Sequence, residues 1–162
     1  MRRGSVKEYA KKFARAQFRT GKKTWDIPCQ CAFPTACENE LTEADAKTLL
    51  QNGCLCVCEG ANMPSTPQAV QAFKQAGILY SPGKASNAGG VAVSGLEMTQ
   101  NSMRIYWPEE EVEGYLQRIM HSIHASCLQY AKEFATAGDY VAGANIAGFI
   151  KVADAMIDQG LV

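Results

Sequence analysis

From residue 29 to residue 81, short apolar runs alternate with segments of helical periodicity, and that alternation narrows the open folds more than any other feature. Short runs separated by roughly 10–15 residues of helix-like pattern give parallel strands joined by helical crossovers. Residues 29–34 read as a strand ending at Pro34, and 42–52 as a helix with Thr42 at its N-cap and Asp45 three residues on, the pattern of a capping box. Residues 54–59 read again as strand, 66–76 as helix and 77–80 (Gly-Ile-Leu-Tyr) as a short third strand. After Asn87 the pattern is helical only, over about 89–106, then 108–135 opened by Pro108 and the acidic turn Glu109, Glu110 and Glu111, then about 140–158. The expected fold class is α/β: about three parallel strands with helices, followed by a C-terminal helical segment. Residues 1–88 form the first unit, with a basic N-terminal helix, and residues 89–162 the second.

Each βα junction carries polar or tight-turn residues: Pro34 to Glu40 after the first strand, Glu59 to Thr66 after the second, Pro82 to Asn87 after the third. In an open parallel sheet such loops lie together at the carboxyl ends of the strands, where ligands bind. The run from Pro82 to Asn101 is the most suggestive, because Gly83, Gly89 and Gly90 allow close approach and Asn87 and Ser94 supply short, directional polar groups near a helix N-terminus. Two readings stay open from these residues alone, a ligand site and a loop leading into a tightly packed helix on Val91, Val93, Leu96, Met98 and Ile105. No Gly-x-Gly-x-x-Gly phosphate loop occurs in the 162 residues.

A formal net charge of zero gives no global pull toward nucleic acid. Nine of the sixteen basic residues (Arg2, Arg3, Lys7, Lys11, Lys12, Arg15, Arg19, Lys22, Lys23) fall in the first 23 positions against one acid, Glu8. With Val6, Tyr9, Ala10, Phe13 and Ala14 as an apolar side, residues 5–18 read as a solvated basic helix rather than a nucleic-acid arm or a transit peptide. No stretch reads as a membrane span. The cysteines number seven and follow no secretory segment, which points to a reducing, cytoplasmic setting. Cys54, Cys56 and Cys58 would share one strand face, and with Cys29 and Cys31 on a neighbouring strand could hold zinc. Small fillers of a buried parallel sheet are the preferred reading, since no Cys-x-x-Cys pair occurs; Cys37 and Cys127 stand apart.

Four strings carry a resemblance: Glu-Gly-Ala-Asn-Met-Pro-Ser-Thr at 59–66, the whole of 82–101, Gly-Ala-Asn-Ile-Ala-Gly-Phe-Ile-Lys-Val-Ala-Asp-Ala-Met at 143–156, and more weakly Pro-Thr-Ala-Cys-Glu-Asn-Glu-Leu at 34–41. In these, from about residue 5 onward, the chain resembles the C-terminal part of the hexameric, small-subunit, NADP-type glutamate dehydrogenases. The resemblance implies a partial Rossmann-like dinucleotide-binding unit over residues 1–88, with residues 89–162 completing that domain and the hinge to a missing substrate domain. It further implies an oxidoreductase interconverting L-glutamate with 2-oxoglutarate and ammonia, with NADP as cofactor and NAD as the alternative, and a homohexameric parent. It places nicotinamide contacts on Asn62 and Asn87, a substrate carboxylate on Ser94, and backbone or edge contacts to the dinucleotide on Ala36 and Cys37. The family's usual Pro-Cys-Ala-Thr-Gln-Asn-Glu is altered here, with Thr35 for Cys, Cys37 for Thr and Glu38 for Gln. It also implies that the catalytic lysine and aspartate and the pyrophosphate loop lie in regions this chain does not contain. No catalytic residue is therefore assigned, and the isolated chain is expected to be inactive.

The remaining chemistry-bearing residues have plainer readings. His121 and His124 are helix-face histidines, since no carboxylate or thiol stands at 117, 118 or 128 to complete a metal site. Lys84 would meet a phosphate or carboxylate, or else a surface partner, and Glu97 reads as a buried helix-packing acid. The Val112, Leu116, Ile119, Ile123 stripe reads as core. In the last helix Gly143, Ala144, Ala147 and Gly148 form a small-residue side for a close crossing, with Phe149, Val152 and Met156 as anchors. Three functions stay open: a portion of a glutamate dehydrogenase, a non-catalytic module binding a dinucleotide or carboxylate, and a metal-binding protein.

Overall fold

The computed structural model describes residues 4–160, so Arg2 and Arg3 of the basic segment lie outside the described residues. The N-terminal helix α1 covers only Val6–Lys12, shorter than the expected 5–18. Ser5 caps it by accepting from the Glu8 N–H, but Val6, Tyr9 and Phe13 are all exposed, so no core contact extends it past Lys12.

Strands β1 (Cys31–Ala32), β2 (Cys56–Cys58) and β3 (Leu79–Ser81) form a parallel sheet in the order β1-β2-β3. Cys31 pairs with Cys56, and Cys56 with Leu79. Helices α2 (Glu43–Gln51) and α3 (Pro67–Ala76) are the crossovers, and both cover the same face of the sheet. The capping box at α2 forms as expected, with Thr42 accepting from the Asp45 N–H and the Asp45 carboxylate accepting from the Thr42 N–H. Thr66 caps α3, Pro67 occupies its first turn and Gly77 ends it at φ 67°, a left-handed conformation that favours glycine. Leu41, Ala46, Leu49, Val57, Ala69 and Phe73, all fully buried, are the centre of the core between sheet and helices. The period-two alternation along β2 buries Val57 in this core and turns Cys56 and Cys58 to the opposite face.

Residues 82–87, expected as a loop, contain a single helical turn, α4 (Gly83–Ser86), before α5 (Ala88–Met103). Helix α6 (Glu109–Phe134) opens on Pro108 with Glu109, Glu110 and Glu111 in its first turn, and α7 (Tyr140–Gln159) is capped by Asp139. Helices α6 and α7 form the most extensive helix pair. They meet closely because Gly143 has no side chain: a Cβ there would lie 1.9 Å from the Cys127 carbonyl oxygen. Cys127, expected to stand apart, is thus buried at the crossing. Two polar ties fasten these helices to the α/β unit, Lys74 Nζ to Asp139 at 2.9 Å and Lys84 Nζ to Asn145.

Several expected core positions are not core. Val91 and Met98 on α5 are 73% and 70% exposed, and Phe149, Val152 and Met156 on α7 face solvent instead of anchoring it. Glu97 is likewise exposed, and the Val112, Leu116, Ile119, Ile123 stripe is half-buried against its helical neighbours. Periodicity marks an apolar side but not what covers it. Helix α7, at 20 residues with a mean hydropathy of 1.3, is also long and apolar enough to cross a membrane by length and composition, although at Gly143 it packs closely on α6 while Gly148 faces open space.

Candidate functional site

The three loops at the carboxyl ends of the strands converge, and backbone hydrogen bonds set how. Pro34 of the first loop accepts from the Gly60 and Ala61 N–H groups of the second at 2.9 and 3.1 Å. Further along, Asn39 N–H donates to the Met63 carbonyl and Leu41 N–H to that of Pro64, so the two loops run side by side for several residues. Asn39 and Met63 both hold positive φ, 53° and 47°, a conformation most side chains avoid and that the paired loops impose here.

The third loop joins through a buried carboxylate. Glu59, 3% exposed, accepts from the Gly83 N–H at 2.7 Å through one oxygen, and from the Ser65 N–H at 3.3 Å and the Tyr80 hydroxyl at 2.7 Å through the other. Ser86 Oγ donates back to the Glu59 carbonyl. Burial and the adjacent Glu59 carboxylate push the Tyr80 hydroxyl's pKa far above its usual range, so it stays a donor. Gly83 allows this approach, because a Cβ would lie 2.7 Å from the Ala61 carbonyl oxygen.

Asn87 and Asn62 sit at the tips of this assembly. The half-buried Asn87 is the N-cap of α5 without a side-chain capping bond; its amide instead donates to the Ala61 carbonyl at 3.2 Å. Asn62 is exposed and donates to Glu38 at 3.2 Å. Ser94 is exposed two turns beyond Asn87, about 10 Å along the axis at 1.5 Å per residue, and its hydroxyl donates to the Gly90 carbonyl. The structure thus brings Asn62 and Asn87 to one edge, with Ser94 on the helix that starts there. Ala36 and Cys37 are exposed on the first loop, where the Ala36 N–H is taken up by the Glu40 carboxylate at 2.9 Å. Glu59 was missed by sequence reasoning; the one available signal was an acid placed directly after an apolar strand.

Other expected sites lie elsewhere. A cleft of about 760 Å³ opens between the far face of β2 and β3 and helices α6 and α7, lined by Cys58, Ser81, His124 and Tyr140 among others, and holds none of Asn62, Asn87 or Ser94. There His124 Nδ1 lies 2.9 Å from the Tyr140 hydroxyl, whose pKa is pushed up to about 12 chiefly by burial and by the neighbouring Cys127. All seven cysteines are free thiols, and among the described residues no three His, Cys, Asp or Glu side chains are placed to hold a metal ion.

A family model of the glutamate/leucine/phenylalanine/valine dehydrogenases matches residues 1–160. The chain belongs to that dehydrogenase family. It is 54% identical over 160 residues to the glutamate dehydrogenase of Bacteroides thetaiotaomicron, covering 99% of this chain and 36% of the relative. It is 52% identical over 161 residues to the NADP-specific glutamate dehydrogenase of Haemophilus influenzae, with the same coverage of each. Among solved structures, the glutamate dehydrogenase of Plasmodium falciparum superposes with a TM-score of 0.93 at 46% identity, over 98% of this chain and 34% of that one. The chain therefore spans about a third of the length of the dehydrogenases it matches, and its three-stranded sheet is a partial Rossmann-like domain.

Proposed function

We propose that this chain is the C-terminal, cofactor-side portion of a glutamate dehydrogenase, which interconverts L-glutamate with 2-oxoglutarate and ammonia using NADP, with NAD as the alternative. One observation carries the reading: the three strand-end loops are bonded into a single edge that presents Asn62 and Asn87 and leads straight into the Ser94 helix. The relatives' names support the reaction: those from Haemophilus influenzae, Helicobacter pylori and Escherichia coli are NADP-specific, and that from Bacteroides fragilis is NAD-specific.

In this reading the carboxamides of Asn62 and Asn87 hold the nicotinamide ribose and carboxamide, since each offers both a donor and an acceptor to a polar, uncharged group. The dinucleotide, when bound, supplies or accepts the hydride. The Ser94 hydroxyl exchanges its bond to the Gly90 carbonyl for one to a carboxylate of the substrate. Hydride transfer also needs reactants held a few ångströms apart and a general acid or base in reach. The edge offers amides and a hydroxyl, its carboxylates Glu38 and Glu40 are engaged by Asn62 and by the Ala36 N–H, and Lys84, the lysine of the third loop, is engaged by Asn145. The chain thus forms one wall of a site. Residues 1–88 supply the cofactor wall, and 89–162 complete the domain and lead to the hinge with a substrate domain. The whole protein works as a soluble, cytoplasmic homohexamer, and seven cysteines, an odd number, suit a reducing compartment.

A non-catalytic binding module is the second reading, favoured by the first loop, where Glu38 holds Asn62 and Glu40 holds the Ala36 N–H. Titration of NADP into the 162-residue chain, followed by amide resonances, tests both. Binding that perturbs Asn62 and Asn87 and is lost in Asn87→Ala is expected, while saturating NADP without any shift at either asparagine overturns the cofactor wall. In a coupled assay the pure chain should show no 2-oxoglutarate-dependent oxidation of NADPH.

A further inference from the structure

We propose that Glu59 is the positioning residue of this site: its buried carboxylate fixes the second and third strand-end loops to each other and so sets where Asn62 and Asn87 point. The inference rests on the reading of those two asparagines as cofactor contacts and adds a residue that touches no ligand itself.

Glu59 is 3% exposed, yet its partners among the described residues are neutral donors rather than a cation. Converging N–H and O–H donors satisfy a carboxylate in such a place, and bonds to a carboxylate are stronger than neutral ones. The division between its two oxygens is what makes it a connector. One takes Gly83 N–H, at the start of the α4 turn that ends on Asn87. The other takes Ser65 N–H, at the far end of the loop that carries Asn62, and the Tyr80 hydroxyl from β3. Its own carbonyl accepts from Ser86, the residue before Asn87. Ala61, next to Asn62, receives the Asn87 amide, so displacement of the α4 turn moves both asparagines together.

An amide in place of the carboxylate cannot reproduce this arrangement. If the Gln oxygen stays on Ser65 and Tyr80, its NH₂ faces the Gly83 N–H; if it flips, the NH₂ faces the Ser65 N–H. Either way one loop is released. Removing the Tyr80 hydroxyl leaves both loop N–H bonds in place, which separates positioning from the loss of a buried hydrogen bond in general.

The test compares the full chain with Glu59→Gln, Tyr80→Phe and Gly83→Ala by amide hydrogen exchange and NADP titration. Glu59→Gln should exchange tenfold or more faster at Gly83 or Ser65, shift the Asn87 side-chain resonances and weaken NADP at least tenfold. Tyr80→Phe should keep both amides within threefold and affinity within twofold. Gly83→Ala, which keeps the Glu59 side chain but whose added Cβ would lie 2.7 Å from the Ala61 carbonyl oxygen and 3.2 Å from Glu59 Oε2, pushes the turn off both and should lose NADP affinity as Glu59→Gln does. It decides the matter if Glu59→Gln fails to fold. Unchanged exchange and unmoved Asn87 resonances in folded Glu59→Gln, equal losses of affinity in Glu59→Gln and Tyr80→Phe, or wild-type affinity in Gly83→Ala overturn the proposal. Absence of NADP binding by the unaltered chain overturns the cofactor reading instead, and the exchange pattern then decides the role of Glu59 alone.

Discussion

Gly143→Ala is the sharpest test of how the helical layer is held together. The added Cβ would stand 1.9 Å from the Cys127 carbonyl oxygen, 2.8 Å from its carbon and 3.0 Å from the Ala131 Cβ, all on α6. A carbon rests no closer than about 3.3 Å to a carbonyl oxygen, so α7 must retreat from α6 by about 1.4 Å at this point. A gap of 0.5–1 Å already forfeits a quarter to a half of the dispersion energy of facing atoms, and overpacking of this kind costs about 3 kcal/mol at the upper end of its range. Alanine returns about 1 kcal/mol through its helix propensity, leaving a net loss of about 2 kcal/mol. Gly148→Ala is the control: on the same helix, with nothing within 4 Å of the added methyl, it should gain about 0.5–1 kcal/mol. With a urea dependence of about 2 kcal/mol per molar, Gly143→Ala should move the unfolding midpoint, followed by far-ultraviolet circular dichroism, down by about 1 M. A midpoint for Gly143→Ala equal to or above the wild type would refute the close crossing.

Three further outcomes follow from the structure. Asp139 is held below the usual carboxylate range: its partial burial acts the other way, but the hydrogen bonds from Lys74 and the Ala142 N–H outweigh it. Its contribution is complete above the unfolded value of about 3.9 and is lost as pH falls through the folded value, so Asp139→Asn should flatten the decline of urea midpoints below about pH 4; an unchanged decline would rule this out. Thiol labelling with a maleimide, mapped by mass spectrometry, should reach the exposed Cys31 and Cys37 first and the buried Cys54 and Cys127 last, because burial both shields those two thiols and pushes their pKa up; equal rates at Cys37 and Cys127 would contradict the burial. The exposed Val91, Met98, Phe149, Val152 and Ile157 should make the chain self-associate with concentration in sedimentation velocity, and a monomer at all concentrations would count against that.

How far the sequence could be read depended on whether local chemistry or distant packing decided each element. Thr42 with Asp45, and Thr66 with Pro67 and Gly77, set the ends of α2 and α3 through bonds between near neighbours, and both helices lie where those residues place them. The short turn α4 was not visible, because it depends on Gly83 meeting Ala61 and Glu59 more than twenty residues away. Helix α1 was overestimated for the opposite reason: Val6, Tyr9 and Phe13 have the right spacing but stay exposed, Tyr9 and Phe13 resting on each other at 4.4 Å rather than on a core. The asparagines of the candidate site were found through loop position and the resemblance, whereas Glu59 owes its role to burial, which a single sequence does not display.

The sheet's strand order, β1-β2-β3, is also the order in which the chain is synthesised. Paired residues such as Cys31 and Cys56, or Cys56 and Leu79, are separated by about two dozen positions, so each pairing closes a loop of moderate entropy and waits for no later segment. The order therefore allows vectorial growth of the sheet: each crossover unit needs only residues already synthesised, and Glu59, whose carbonyl and carboxylate capture the third turn, precedes that turn in the chain.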